Sequence, residues 1–214
     1  MAKQKKYNAR PLVSMLIVIA AILLAVIIGQ LTPLLNLELN LLDYRFKIRG
    51  TQTQSVAQSP IVILAIDDQS DESTPARWPW PRSYFAHVID NLNEAGVKAI
   101  GIDVIFDQAD QNGPQSDSLL VEALSKYKNI VLAGKIDIPV GGRTDMATLV
   151  PPYEDFRRSG VNWGLVSFDL DQDGFYRRYL IGQTYNDSLY SSFAVELLKI
   201  YQGIPPEVLL RDSS

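Results

Sequence analysis

Four aspartates and one tryptophan-bearing loop carry most of the chemistry this chain can offer. Asp67 and Asp68 close an apolar run, Ile61-Val-Ile-Leu-Ala-Ile66, while Asp103 and Asp107 follow a second, Val97-Lys-Ala-Ile-Gly-Ile102. Carboxylates gathered at the ends of two such runs can hold a cation or receive a cationic ligand. The simpler reading is that they cap loops and pair with Arg77 or Arg82. Between the runs stands Arg77-Trp-Pro-Trp-Pro-Arg82. Trp78 and Trp80 each precede a proline and are therefore biased to extended backbone. The indoles are thus presented stiffly, either as a lid over a ligand or as a clip over a sheet edge. Arg82 near a helix start opposes the helix dipole, so a carboxylate partner is expected to hold it.

Other candidates are weaker. Asp169, Asp171, Asp173 and Gly174 copy the opening of a calcium loop. The twelfth position is Leu180, where a bidentate glutamate is required, so an Asp/Gly turn is the better reading and no metal is assigned. His87 is the single histidine and cysteine is absent, which argues against a metal cluster or a serine triad and excludes thiol chemistry. No glycine-rich loop follows the first run, so Rossmann or P-loop nucleotide binding is unsupported, and no cofactor is expected.

The elements that must position these groups read as alternating strands and helices. Ile61 to Ile66 is continuous and rich in β-branched residues, as in a strand buried on both faces. Phe85, Val88, Ile89 and Leu92 mark one face of a helix from about Pro81 to Gly96, with proline at its start and glycine at its end. Val97 to Ile102 is the second strand. Leu119, Leu120, Ala123, Leu124 and Tyr127 mark a second helix, followed by a strand from Ile130 to Ala133. This order implies a parallel α/β sheet with flanking helices. Helix-to-strand links are short (Gly96; Lys128-Asn129). Strand-to-helix links are long: Asp67 to Trp80, Asp107 to Ser116, and the stretch after Lys135. Long links tend to be functional, and in a parallel sheet all of these leave the carboxyl edge, where α/β folds bind ligands. Farther on, Tyr153 to Arg158 reads as a short helix. Gly164 to Phe168 and Phe175 to Gly182 read as an antiparallel hairpin turning through Asp169 to Gly174, and Ser191 to Gln202 as a helix.

Composition supplies the setting. The chain has 214 residues, 47% of them hydrophobic, enough for one domain and an anchor. Its net charge of −4 hides an asymmetry, because Lys3, Lys5, Lys6 and Arg10 lead a body that holds all 24 acids. An acidic body argues against nucleic acid as a partner. Residues 11–33 carry no charge, long enough to cross a hydrocarbon core of about 30 Å. The basic residues before them place the N-terminus in the cytoplasm. The reading is therefore a basic cytoplasmic tail (1–10), an uncleaved transmembrane helix (11–33) and a juxtamembrane helix (34–50) whose Leu35, Leu39, Leu42 and Phe46 share a face. A polar linker (51–60) and an extracytoplasmic α/β domain (61–214) complete it.

These residues together resemble a CHASE2 domain, an extracytoplasmic sensor module of bacterial membrane receptors. The likeness rests on Asp43-Tyr-Arg45-Phe-Lys-Ile-Arg49-Gly50, Ala65-Ile66-Asp67, the Trp-Pro-Trp-Pro-Arg element, Gly101-Ile-Asp103-Val-Ile-Phe106 and Asp171-Gln-Asp173-Gly174-Phe-Tyr-Arg177-Arg178. It implies an extracytoplasmic domain carried after an N-terminal span of the inner membrane, which in this chain is read as a single pass. In the family, further membrane helices follow, then a cytoplasmic adenylate or guanylate cyclase, a histidine kinase or a serine/threonine kinase. This sequence holds none of those, and the family's last strands are not evident in it.

The expected function is that of a non-enzymatic sensor. An unidentified small ligand would bind near Asp67, Asp68, Arg77, Trp78, Trp80, Arg82, Asp103 and Asp107, and the anchor of a homodimer would relay the event. Two other readings stay open: an interaction scaffold, and a divalent-ion phosphoryl-transfer enzyme using the Asp cluster.

Overall fold

The computed structural model describes residues 10–29, 32–50, 59–138, 146–167, 171 and 173–204. The chain divides into two compact units, Met1–Leu64 and Ala65–Ser214.

The first unit is helical. α1 spans Arg10–Gly29 and α2 spans Thr32–Arg49. α2 ends where Gly50 turns to a φ of +67°, a conformation that costs glycine little. The side chains described for α1 are nearly all apolar and exposed, among them Val13, Leu16, Ile17, Leu23 and Val26. Among the described residues no helix is long and apolar enough to cross a membrane, so the fold does not itself show the expected span.

The second unit is the expected mixed α/β body. Its elements are α3 (Asp68–Ser73), α4 (Arg82–Glu94), β1 (Ile100–Ile105), α5 (Pro114–Lys126), β2 (Ile130–Asp137), β3 (Thr148–Val150), α6 (Glu154–Arg158), β4 (Asn162–Leu165), β5 (Gly182–Tyr185), β6 (Ser188–Ser191) and α7 (Phe193–Gln202). β2 is the central strand. It pairs in parallel with β1 and β4, and its last residues, Lys135 to Asp137, pair antiparallel with β3. One face of this sheet carries the core: Ile100, Ile130 and Leu132 meet Phe85, Ala86 and Ile89 of α4 and Leu120, Ala123 and Leu124 of α5. The burial follows helical spacing on both helices. Val88, expected on the buried face of α4, is exposed instead.

α7 covers the other face, and two glycines make its seat. A Cβ on Gly164 would lie 2.7 Å from the backbone N and Cα of Phe193, and one on Gly101 would meet Leu197 and Phe193 side chains. Backbone cannot swing aside as a side-chain tip can. Gly164→Ala is therefore expected to displace α7 and cost about 1–3 kcal/mol, read as a lower urea midpoint with loss of near-ultraviolet circular dichroism.

Three expectations are corrected. Ile61 to Ile66 forms no strand: it is irregular, and Ile61, Val62, Ile63, Leu64 and Ile66 are all exposed, up to 83% at Val62 and Ile63. An apolar run of this length marks hydrophobicity but not pairing. The strand near Gly164 pairs in parallel with β2 rather than in a hairpin with Phe175 to Gly182, which is irregular up to Ile181. The hairpin near the C-terminal end is instead β5–β6. It turns through Asn186 and Asp187, both at positive φ (46° and 60°), the pattern that suits the right-handed twist of paired strands.

Candidate functional site

The tryptophan loop is built on a short acidic helix. Asp67 is the N-cap of α3, its Oδ1 accepting from the Ser70 N–H at 2.8 Å and the Ser70 hydroxyl at 2.6 Å. Those two bonds favour the charged form and hold its pKa below the usual carboxylate range. One turn on, Asp71 Oδ1 accepts from the Trp78 N–H at 3.2 Å and the Trp80 indole N–H at 3.0 Å. A single oxygen thus orders both tryptophans. Trp78 and Trp80 meet edge to face at 6.0 Å, and Trp80 meets Tyr84 in the same way at 6.3 Å. Trp80 packs against the core, so it acts as the clip, whereas Trp78 is 48% exposed. Asp68 and Arg77 are exposed beside them.

Arg82 ties this loop to the end of β1. Its guanidinium lies 4.1 Å over the ring of Phe106, the residue just after β1, and its backbone N–H donates to Asp110 Oδ2 at 2.7 Å. The loop and the carboxyl end of β1 therefore share one rim. The expected carboxylate partner of Arg82 takes an indirect form. Asp110 accepts from its backbone, while Asp117 attracts the guanidinium through space, and neither shows a side-chain bond to it.

Asp110, Ser116 and Asp117 form the knot that seats both helix starts. Ser116 Oγ accepts the Ser83 N–H at 3.0 Å, and Asp117 Oδ2 accepts the Asp110 N–H at 2.8 Å. The orphan donors at the start of α4 are thus met by groups 28 and 33 residues away. Burial alone would raise Asp110, but bonds from Ser116, the Arg82 N–H and Asn112 outweigh it and hold the carboxyl at about 2. Asp117 moves the other way: burial pushes its carboxyl up, and nearby Asp110 adds to the rise. Arg82 Nε and Asp117 Oδ1 are both buried without a hydrogen-bond partner.

Asp103 and Asp107 are exposed. Asp103 falls in a register shift, where β1 advances from Ile102 to Ile105 while β2 advances only from Leu132 to Ala133. Among the described residues no group of three or more His, Asp or Glu side chains is arranged to hold a metal ion. Of the calcium-like loop, Asp169 lies outside the described residues. Asp171 and Asp173 turn to Arg177, at 3.1 Å and 2.8 Å, and the Arg177 side chain is 5% exposed. His87 is exposed on α4.

The sequence reading missed Asp71, Asp110, Ser116 and Asp117. One signal was present: Gly113-Pro114 followed by Ser116 and Asp117 marks a helix start five residues before the first leucine.

A family model described as the CHASE2 domain matches residues 19–211, nearly the whole chain. No curated protein and no solved structure gave a match.

Proposed function

We propose that this chain, which belongs to the CHASE2 domain family, is the ligand-binding input module of a membrane receptor and performs no catalysis itself. Membership of a sensor family supports a sensory role. The binding surface we assign is the rim where the Trp78–Arg82 loop meets the end of β1, and the Arg82–Phe106 stack at 4.1 Å is the observation that carries it.

The anchor is part of the same reading. α1 takes 20 residues, about 30 Å of helix, and its described side chains are apolar apart from Ser14. A helix of that kind needs an apolar surround. With the basic residues preceding it, this supports a single crossing with the N-terminus in the cytoplasm and the α/β body outside. Two copies, side by side, would pass ligand binding to a cyclase or kinase output through the pose of their helices. Such a relay requires the ligand to bind two arrangements unequally.

The absence of cysteine makes a direct test simple. Leu41→Cys, at an exposed position of α2, is introduced into the full chain in lipid vesicles, and disulfide crosslinking is followed with a panel of amines, amino acids, organic acids and sugars. A ligand-dependent change in crosslinking rate is the expected result. A rate that no compound alters would overturn the sensor reading.

A further inference from the structure

We propose that Trp78, Trp80 and Asp71 form a binding shelf for an organic cation, an alkylammonium or guanidinium group. This deepens the sensor reading and rests on it for the biological role, though not for the binding itself. Tryptophan is the best partner for a cation over a ring face. Among the described residues five cations already sit over rings: Arg49 on Phe46, Arg82 on Phe106, Lys98 on Tyr201, Lys126 on Tyr127 and Arg177 on Phe175. Neither Trp78 nor Trp80 has one, although Arg77 is the adjoining residue. Trp78 is 48% exposed, and among the described residues no cation lies over it.

Charge decides what fits there. Asp67, Asp68, Asp71 and Glu72 are four of six consecutive residues, and none of them forms an ion pair among the described residues. An anion would meet repulsion on this surface and a cation would meet attraction. The shelf is also ordered in advance. Asp71 fixes the Trp78 backbone and the Trp80 indole with one oxygen, so a ligand does not have to immobilise the rings. The carboxylate that aims the rings brings its negative charge to their edge.

The test is a fluorescence titration of the full chain with choline, against its carbon isostere in which a neutral quaternary carbon replaces the nitrogen, at constant ionic strength. Choline is expected to give a saturable change and the isostere none. Trp78→Ala, at an exposed site that should leave the fold intact, should weaken choline roughly tenfold. Asp71→Asn keeps an oxygen to accept both bonds while removing the charge, and should weaken it severalfold. Equal responses to choline and isostere, no saturation, or unchanged affinity in either variant would overturn the proposal. The two readings also separate cleanly. Choline binding in a chain whose Leu41→Cys crosslink neither choline nor any compound of the panel alters removes the sensor role and keeps the shelf. A crosslink that responds to other compounds in a chain indifferent to choline does the reverse.

Discussion

Asp110→Ala is expected to lower the unfolding free energy by about 2 kcal/mol, because it strips a charged acceptor from the partly buried Arg82 N–H and from the exposed Asn112 N–H. The Arg82 N–H and the Asn112 N–H would both lose their partner, and the start of α4 would lose its tie to the loop ahead of α5. Urea denaturation of the full chain measures the loss. Asp110→Asn, which keeps an acceptor oxygen, should fall between the two.

The same residue sets a pH dependence whose sign is fixed. The folded carboxyl sits at about 2, below the 3.8 of the free group, so its contribution is complete above about 4. It is lost as pH falls from there towards 2. Asp117 acts in the opposite sense. Its folded pKa is raised by burial, so its ionised form opposes folding, and protonation on mild acidification relieves that opposition. Stability should therefore rise as pH falls through the raised Asp117 value towards 3.8, and then fall as pH drops on towards 2. Asp110→Ala should make the acid fall shallower, and it should also weaken the rise, because Asp110 contributes to the raised value of Asp117.

Arg177→Ala is also expected to lower the urea midpoint, since it leaves Asp171 and Asp173 without the cation they share. The bidentate grip of Asp173 at 2.8 Å is the strong part of this arrangement. Arg177 is also the main reason that Asp173 is held below the usual carboxylate range. Loss of the guanidinium should let Asp173 titrate closer to its ordinary value, which carbon-detected NMR can follow. In the wild-type chain added calcium should leave the urea midpoint unchanged, because Arg177 already occupies the oxygens that an ion would use.

The legible part of this fold was periodic. Buried positions on α4 and α5 recur at helical spacing, Gly96 marks the end of α4, and β2 announces itself in Ile130 to Ala133. The pattern at Ile61 to Ile66 misled because apolar content says that a segment prefers burial, not that an edge has taken it. The β5–β6 hairpin was overlooked for a different reason. Its strands are Gly182–Tyr185 and Ser188–Ser191, too polar to show alternation, and only the Asn186-Asp187 pair betrays the turn. At the site, Trp78, Trp80 and Arg82 drew notice by type and spacing. Asp110 and Asp117 did not, because Asp110 serves a backbone group 28 residues away whose position exists only after folding, and Asp117 acts by holding Asp110.

The uncovered Ile61–Ile66 run has a practical consequence for anyone handling this protein. Six uncharged residues without proline, four of them β-branched, have the composition from which dry, interdigitated fibril spines are made. Left in water, they give neighbouring molecules a ready template for irreversible clumping. Concentrated samples will hold together best where lipid, detergent or a companion surface shields this one short stretch.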